Sequence, residues 1–220
     1  MLTFKIVQEG LIEITPEEGV KDSRPTCSLL ENNGFRVLID LEHPKEDGTG
    51  FKDALGRLGL LPSKIDAVIF THLHPDHMGH KNLFPDVHFV FHKDEKFVFY
   101  FKNDRSVQLT GSALITLTPE DIAEPEETNE VPDTTALGDK VYMHHTPGHT
   151  RGSYAIFANI DGKVHAFVGD MWLTRDYYDR WEAPGSSWEE ERIYEHMEFV
   201  KEHADIIIPG HGPPFENVKK

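Results

Sequence analysis

Cysteine is almost missing from this chain: Cys27 is the single one among 220 residues, so no intramolecular disulfide can staple the fold. Placed between Thr26 and Ser28 in a predicted strand, far in sequence from the histidine-rich segments, it reads as a packed thiol. Long apolar runs are missing too. Nothing approaches the roughly 20 residues that span a bilayer, and Met1-Leu2-Thr3-Phe4-Lys5 lacks the basic start and apolar core of a secretory leader. The expectation is a soluble cytoplasmic protein with no membrane partner. Positive charge is scarce: 22 Lys and Arg stand against 38 Asp and Glu, a formal net charge of -16 with a pI near 5.2. Such a surface repels phosphate backbones at long range, which disfavours nucleic acid as a partner without closing off a local basic patch. The length suits one domain, 1–220, with a substantial core. Homo-oligomerisation is left open.

What is present begins as a meander of short β-type runs, Thr3 to Val7, Ile12 to Ile14, Cys27 to Leu30 and Phe35 to Ile39, with Asn32-Asn33-Gly34 as a turn. Phe51, Ala54, Leu55 and Leu58 recur at helical spacing, and Leu61-Pro62 ends that helix. Val87 to Phe91 predicts a strand, and Phe97, Tyr100 and Phe101 predict a helix near 94–101 that packs its aromatics into the core. From Pro119 to Asp133 the composition turns acidic and predicts an exposed, solvated loop. Strands resume at Val141 to His144, Ser153 to Ala158 and Val164 to Val168, with Asp161-Gly162 as a hairpin turn. Ser187 followed by Glu190 fits a capping box for a closing helix that buries Ile193, Met197, Val200 and Ala204. A last strand, Asp205 to Ile208, delivers the chain to Pro209-Gly210-His211-Gly212.

The chemistry is concentrated behind the apolar run Ala67-Val68-Ile69-Phe70, where the chain reads Thr-His-Leu-His-Pro-Asp-His-Met-Gly-His. An extended backbone sends His72 and His74 to the same side, and a turn at Pro75 re-aims Asp76 and His77. Two ligand pairs facing two ways suggest two metals. Three later segments each put a potential ligand just after a strand: Thr146-Pro147-Gly148-His149-Thr150, Val168-Gly169-Asp170 and Pro209-Gly210-His211-Gly212. Strand ends emerging along one edge can gather such residues, and the adjacent glycines allow the tight turns this needs. The remaining histidines, His43, His88, His92, His144, His145, His165, His196 and His203, share no spacing and read as surface or hydrogen-bonded residues; His80 is kept as a candidate support for the ligands.

This ordered set, His-x-His-x-Asp-His, Pro-Gly-His-Thr, Gly-Asp after a strand and a final Gly-His, resembles the metallo-β-lactamase superfamily, and in particular its glyoxalase II-like hydrolases, over most of the chain. The resemblance implies an α/β (α+β) fold, a four-layer αβ/βα sandwich of two mixed β-sheets flanked by helices. It implies that His72, His74 and His149 hold one metal, that Asp76, His77 and His211 hold the other, and that Asp170 bridges them, with Asp76 also orienting the catalytic water. Asp40, at the end of its strand, matches a residue that supports a ligand histidine from behind, although Leu41-Glu42 follows where the family has a small residue and Gly.

Such donors suit two divalent ions, zinc first, with iron or manganese as alternatives. Two metals sharing a water lower its pKa from about 15.7 toward about 7 and so provide a hydroxide nucleophile. The expected function is hydrolysis of an ester, thioester, lactone or phosphodiester bond in a small-molecule substrate. A mononuclear-iron sulfur dioxygenase and a stand-alone nuclease are the alternatives that the resemblance keeps open, and a binding protein with a vestigial site is the third. Specificity is expected in the stretch from Met171 to Trp188, where Trp172, Arg175, Tyr177, Tyr178, Arg180 and Trp181 follow Asp170.

Overall fold

Alternation of buried residues decides the architecture. In the computed structural model, which describes residues 1–43, 47–101 and 105–220, the first half of the chain forms β1 (Leu2–Gln8), β2 (Leu11–Thr15), β3 (Gly19–Arg24), β4 (Cys27–Asn32), β5 (Phe35–Ile39), α1 (Thr49–Arg57), β6 (Ala67–Ile69), β7 (His88–His92) and β8 (Ser106–Leu109). All of these strands except β2 and β3 build a six-stranded sheet in the order β1-β4-β5-β6-β7-β8, antiparallel at the β1 end and parallel from β5 onward. The second half supplies β9 (Ala113–Thr116), α2 (Pro119–Ala123), β10 (Glu126–Glu127), β11 (Lys140–His145), β12 (Tyr154–Ile160), β13 (Lys163–Gly169), α3 (Arg175–Arg180), α4 (Glu190–His203), β14 (Ile206–Pro209) and β15 (Phe215–Glu216). Its seven-stranded sheet runs β10-β9-β11-β12-β13-β14-β15, antiparallel except for the parallel β13–β14 pair.

Both sheets are apolar on both faces, because successive side chains of a strand point to opposite sides. Val37 and Ile39 of β5, Ala67 and Ile69 of β6 and Val90 of β7 meet Val141, Met143, Ile156, Ala158 and Phe167 of the other sheet in the central core. Leu38, Val68, Phe89 and Phe91 turn outward onto Phe51, Ala54 and Leu55 of α1. On the far side Tyr142, Phe157, Ala166 and Ile207 pack on Ile193, Met197 and Val200 of α4. The order helix, sheet, sheet, helix is the four-layer sandwich expected. Cys27 is fully buried in the outer core of the first sheet, and Asn33-Gly34 and Asp161-Gly162, all at positive φ, close their two-residue hairpins.

Three local expectations are corrected. The segment 94–101 is no α-helix: only a single 3-10 turn forms over Val98–Phe101, with Phe101 buried and Phe99 and Tyr100 half exposed, because Glu95 turns inward to bond backbone amides. The acidic stretch after Pro119 is not simply a loop. Thr118 caps α2 by accepting from the Asp121 amide at 3.3 Å, Ile122 is fully buried, and β10 pairs with β9. The capping box at Ser187 does not form; the Ser187 hydroxyl donates to the Pro184 carbonyl, and the amides of Trp188 and Glu189 donate instead to the His149 and Gly148 carbonyls. The structure also adds β3, a strand the sequence reading did not single out, which pairs with β2 as a separate two-stranded hairpin.

Candidate metal centre

Each ligand candidate stands just beyond a strand end of the central layers. His72 follows β6, His149 follows β11, Asp170 follows β13 and His211 follows β14. Their donor atoms fall into two groups: His72, His74, His149 and Asp170 lie with one atom each within 4.8 Å of one another, and so do Asp76, His77 and His211. Asp170 joins the groups through its two oxygens. Its Oδ2 lies 3.5 Å from His149 Nε2 and 3.9 Å from His72 Nε2, while Oδ1 lies 3.2 Å from His77 Nε2 and 3.1 Å from His211 Nε2. Asp76 Oδ2 is 3.8 Å from His211 Nε2 and 4.0 Å from His77 Nε2. The structure thus brings together all seven residues singled out in the sequence.

Outer contacts fix which nitrogen of each ring faces inward. Asp40, held in the left-handed region at φ 57°, accepts from the Thr71 amide at 2.8 Å and hydroxyl at 2.7 Å, and from His77 Nδ1 at 2.9 Å. The Thr71 hydroxyl, having donated its proton to Asp40, accepts from His72 Nδ1 at 3.1 Å. His211 Nδ1 donates to the Arg24 carbonyl at 2.8 Å. With Nδ1–H committed outward, His72, His77 and His211 turn Nε2 to the centre, the atom through which a neutral ring would bind a cation.

Several inward nitrogens meet another nitrogen or no partner at all. His72 Nε2 is buried without a hydrogen-bond partner, His77 Nε2 faces His211 Nε2 at 3.4 Å, and His74 Nδ1 faces His149 Nε2 at 3.0 Å. Nitrogens crowded around a carboxylate call for positive charge at the centre, and the titration behaviour divides them. Burial holds His72 well below the usual histidine range, lowers His74, and takes His149 down to about 4, so these rings are neutral donors at physiological pH. Burial opposes charge on His77 and His211 as well, yet Asp170, joined at His77 by Asp40 and Asp76, raises both, so positive charge at these two positions balances the carboxylates and a divalent ion would take that place. Despite burial, His211 and His77 keep Asp170 well below the carboxylate range, and His77 does the same more mildly for Asp76. The donor set fits divalent cations.

The centre floors a cavity of about 740 Å³. Ile12, Ile14 and Val20 of the β2–β3 hairpin form one wall, Leu173, Tyr177 and Pro184 another. Two cations of the hairpin are already paired, Lys21 with Glu13 at 3.1 Å and Arg24 with Asp22 at 3.1 Å. Ser23 reaches from the hairpin to donate to Asp76 Oδ2 at 2.5 Å.

The Met171–Trp188 stretch divides. Tyr177 lines the cavity, whereas Trp172 and Tyr178 are fully buried core and Arg175 pairs with Asp179 at 3.4 Å. His80 bonds the His43 carbonyl at 3.2 Å and lies 3.7 Å from Glu42; among the described residues these partners are not ligand candidates. Sequence reasoning missed Glu95, Ser23 and the hairpin wall. Glu95 sits in Lys-Asp-Glu-Lys and carries no signal that separates it from a surface charge. Among the described residues no helix is long and apolar enough to cross a membrane.

Comparison with known proteins reaches the same architecture. Metallo-beta-lactamase domain-containing protein 1 of Xenopus laevis is 28% identical over 188 residues, 83% of this chain and 69% of the frog protein. Its Mus musculus counterpart is 26% identical over 188 residues, 84% of this chain and 62% of the mouse protein, so the chain matches under two thirds of that relative's length. Among solved structures, a Thermotoga maritima protein provisionally described as a metallo-beta-lactamase superposes with a TM-score of 0.69 at 21% identity, covering 98% of this chain and 99% of the other. A quorum-quenching N-acyl homoserine lactone lactonase superposes with a TM-score of 0.64 at 18% identity over 96% of this chain and 91% of the other. A sequence profile of the metallo-beta-lactamase superfamily matches residues 21–211, which hold the hairpin strand, both donor groups and both sheets' central strands; the chain belongs to that superfamily.

Proposed function

We propose that the chain is a metal-dependent hydrolase acting on an uncharged acyl bond, an ester, thioester or lactone, in a small molecule with an apolar tail. One observation carries the reading: two donor groups meet on opposite oxygens of Asp170 at the floor of an open cavity. In this reading His72, His74 and His149 hold one divalent ion, Asp76, His77 and His211 hold a second, and Asp170 serves both. Zinc suits the imidazole and carboxylate donors, and iron or manganese share them. When bound, such ions supply Lewis acidity and acidify a water from about 15.7 toward about 7.

The chain's own residues do the rest. Asp76 keeps an ionised carboxylate that accepts a hydrogen bond from the attacking water and aims it, while Ser23 fixes the carboxylate's rotation. Asp40, Thr71 and the Arg24 carbonyl hold His72, His77 and His211 in the tautomer that offers Nε2. Ile12, Ile14 and Val20 shield the reacting bond from bulk water and contact the substrate's apolar part. The pairing of Lys21 and Arg24 with carboxylates favours an acyl group over a phosphodiester.

The test is to purify the protein, quantify its bound metals, and screen p-nitrophenyl esters of increasing chain length, a thioester, a lactone and a phosphodiester. Acyl hydrolysis that falls by about a thousandfold or more in Asp76→Ala is expected. Turnover that survives Asp76→Ala rejects the mechanism, and a single iron with oxygen consumption on a persulfide replaces the hydrolase with an oxidoreductase.

A further inference from the structure

Glu95 is a buried carboxylate that the reading above does not use. It is 3% exposed, and among the described residues no Lys, Arg or His pairs with it. An isolated carboxylate in such a place is costly unless its oxygens are hydrogen-bonded. Both are. Oε2 accepts from the Leu73 amide at 2.9 Å, and Oε1 accepts from the Gly152 amide at 2.9 Å and the Thr150 hydroxyl at 2.5 Å.

The donors' positions matter more than their number. Leu73 lies between His72 and His74, and Thr150 and Gly152 follow directly on His149. One side chain therefore ties together the two backbone segments that carry all three imidazoles of the first donor group. The second group is held by other means: His77 by Asp40, His211 by the Arg24 carbonyl and Asp76 by Ser23. The seat is also cut to fit, since a Cβ on Gly152 would lie 2.7 Å from Glu95 Oε1.

We infer that Glu95 is a positioning residue for one metal of the pair: by clamping Leu73 to Thr150 and Gly152 it sets the spacing of His72, His74 and His149. The inference rests on the two-ion reading. Its chemistry is specific to a carboxylate, because two backbone N–H groups converge on two different oxygens. Glutamine has one oxygen, so in either orientation its NH2 faces a backbone N–H and one segment is released.

The experiment titrates metal-free protein with cobalt(II) and reads the number of ions, the affinity of each, and the visible spectrum. His149→Ala and His211→Ala give reference spectra that assign each ion to a donor group. In Glu95→Gln the ion of the first group should weaken about tenfold or more, with the ion of the second group within about threefold of wild type. Ser23→Ala, which removes a bond to Asp76 in the second group alone, should weaken the second ion and spare the first. Val200→Ala, a core change on α4, should lower stability without altering the ratio of the two affinities, which separates positioning from general destabilisation. Wild type binding two ions while Glu95→Gln weakens both alike, or neither, overturns the inference and leaves the two-ion reading standing. Wild type binding fewer than two removes that reading and the inference with it. If Glu95→Gln does not fold, Thr150→Val removes one arm of the clamp; it should weaken the first ion several-fold and spare the second, and equal effects overturn the inference in the same way.

Discussion

Lowering the pH from 7 to 5 will destabilise this protein through a histidine cluster that belongs to neither donor group. His144 stacks on Phe199 at 3.9 Å between ring centroids and meets His196 edge-on at 5.6 Å. Burial, reinforced by His196 and His145, pushes its pKa down to about 3; burial also takes His145 and His196 to about 4. In the unfolded chain each ring takes up a proton near pH 6.5. A folded pKa below the unfolded one means that stability is complete above pH 6.5 and is lost as the pH falls toward the folded value. Between pH 7 and 5 the linkage relation gives about 2 kcal/mol per ring, and partial exposure of these side chains brings that to about 1–2 kcal/mol. Three rings together approach the lower end of a typical domain's net stability of about 5–15 kcal/mol. The assay is urea unfolding of metal-free wild type and His144→Phe at both pH values, where the ligand histidines cancel in the comparison. The variant keeps the stack on Phe199 but cannot titrate, so it should lose about 1–2 kcal/mol less than wild type on acidification. Equal losses in the two proteins would show that His144 is protonated in the folded state and that the burial argument is wrong.

Other outcomes follow from the same structure. Gly210→Ala would push a methyl group onto Asp170 Oδ1 and within 2.9 Å of the Gly169 carbonyl oxygen; because Asp170 serves both groups, elemental analysis should find both ions depleted. Val20→Asp, at an exposed hairpin position lining the cavity, should raise KM for a long-chain ester by about tenfold, the equivalent of about 1.4 kcal/mol of lost apolar contact, and leave an acetyl ester unaffected. Chelation should lower the melting temperature in a manner reversed by added metal, since an ion present at a thousand times its dissociation constant stabilises the folded state by about 4 kcal/mol. Gly152→Ala should destabilise by about 1–3 kcal/mol, its methyl group meeting Glu95 Oε1 and His92 Cβ at 2.7 Å.

The ligands were legible in the sequence because metal binding demands rare residue types in fixed order, and because His74, Asp76, His149, Asp170 and His211 each stand beside a glycine or proline. Asp40 was legible only through the family resemblance, at the end of its strand. Strands such as β6 and the Tyr154-to-Ala158 part of β12 announced themselves by uninterrupted apolar residues, the mark of a sheet covered on both faces. What escaped has one common cause: its meaning is set by distant backbone. Glu95 looks like any charge between lysines until Leu73 and Gly152 are folded against it. Aromatic spacing at 97, 100 and 101 suggested a helix, but the inward turn of Glu95 breaks the segment. The Ser187 box failed because carbonyls of Gly148 and His149, about forty residues upstream, reach the amides before α4 first. Nor did β3, Gly-Val-Lys-Asp-Ser-Arg, carry any periodicity, since a hairpin overhanging a cavity has no core face to record.

The division of strands between the sheets has a mechanical meaning. Every strand of the first sheet precedes Gly111 and every strand of the second follows it. Each donor group draws on both: His72 and His74 face His149 and Asp170, and Asp76 and His77 face His211. A bound ion is therefore a clasp between two consecutive lengths of chain. Severed at Gly111, neither fragment would own three ligands of either group, and rejoining them would become a metal-gated event.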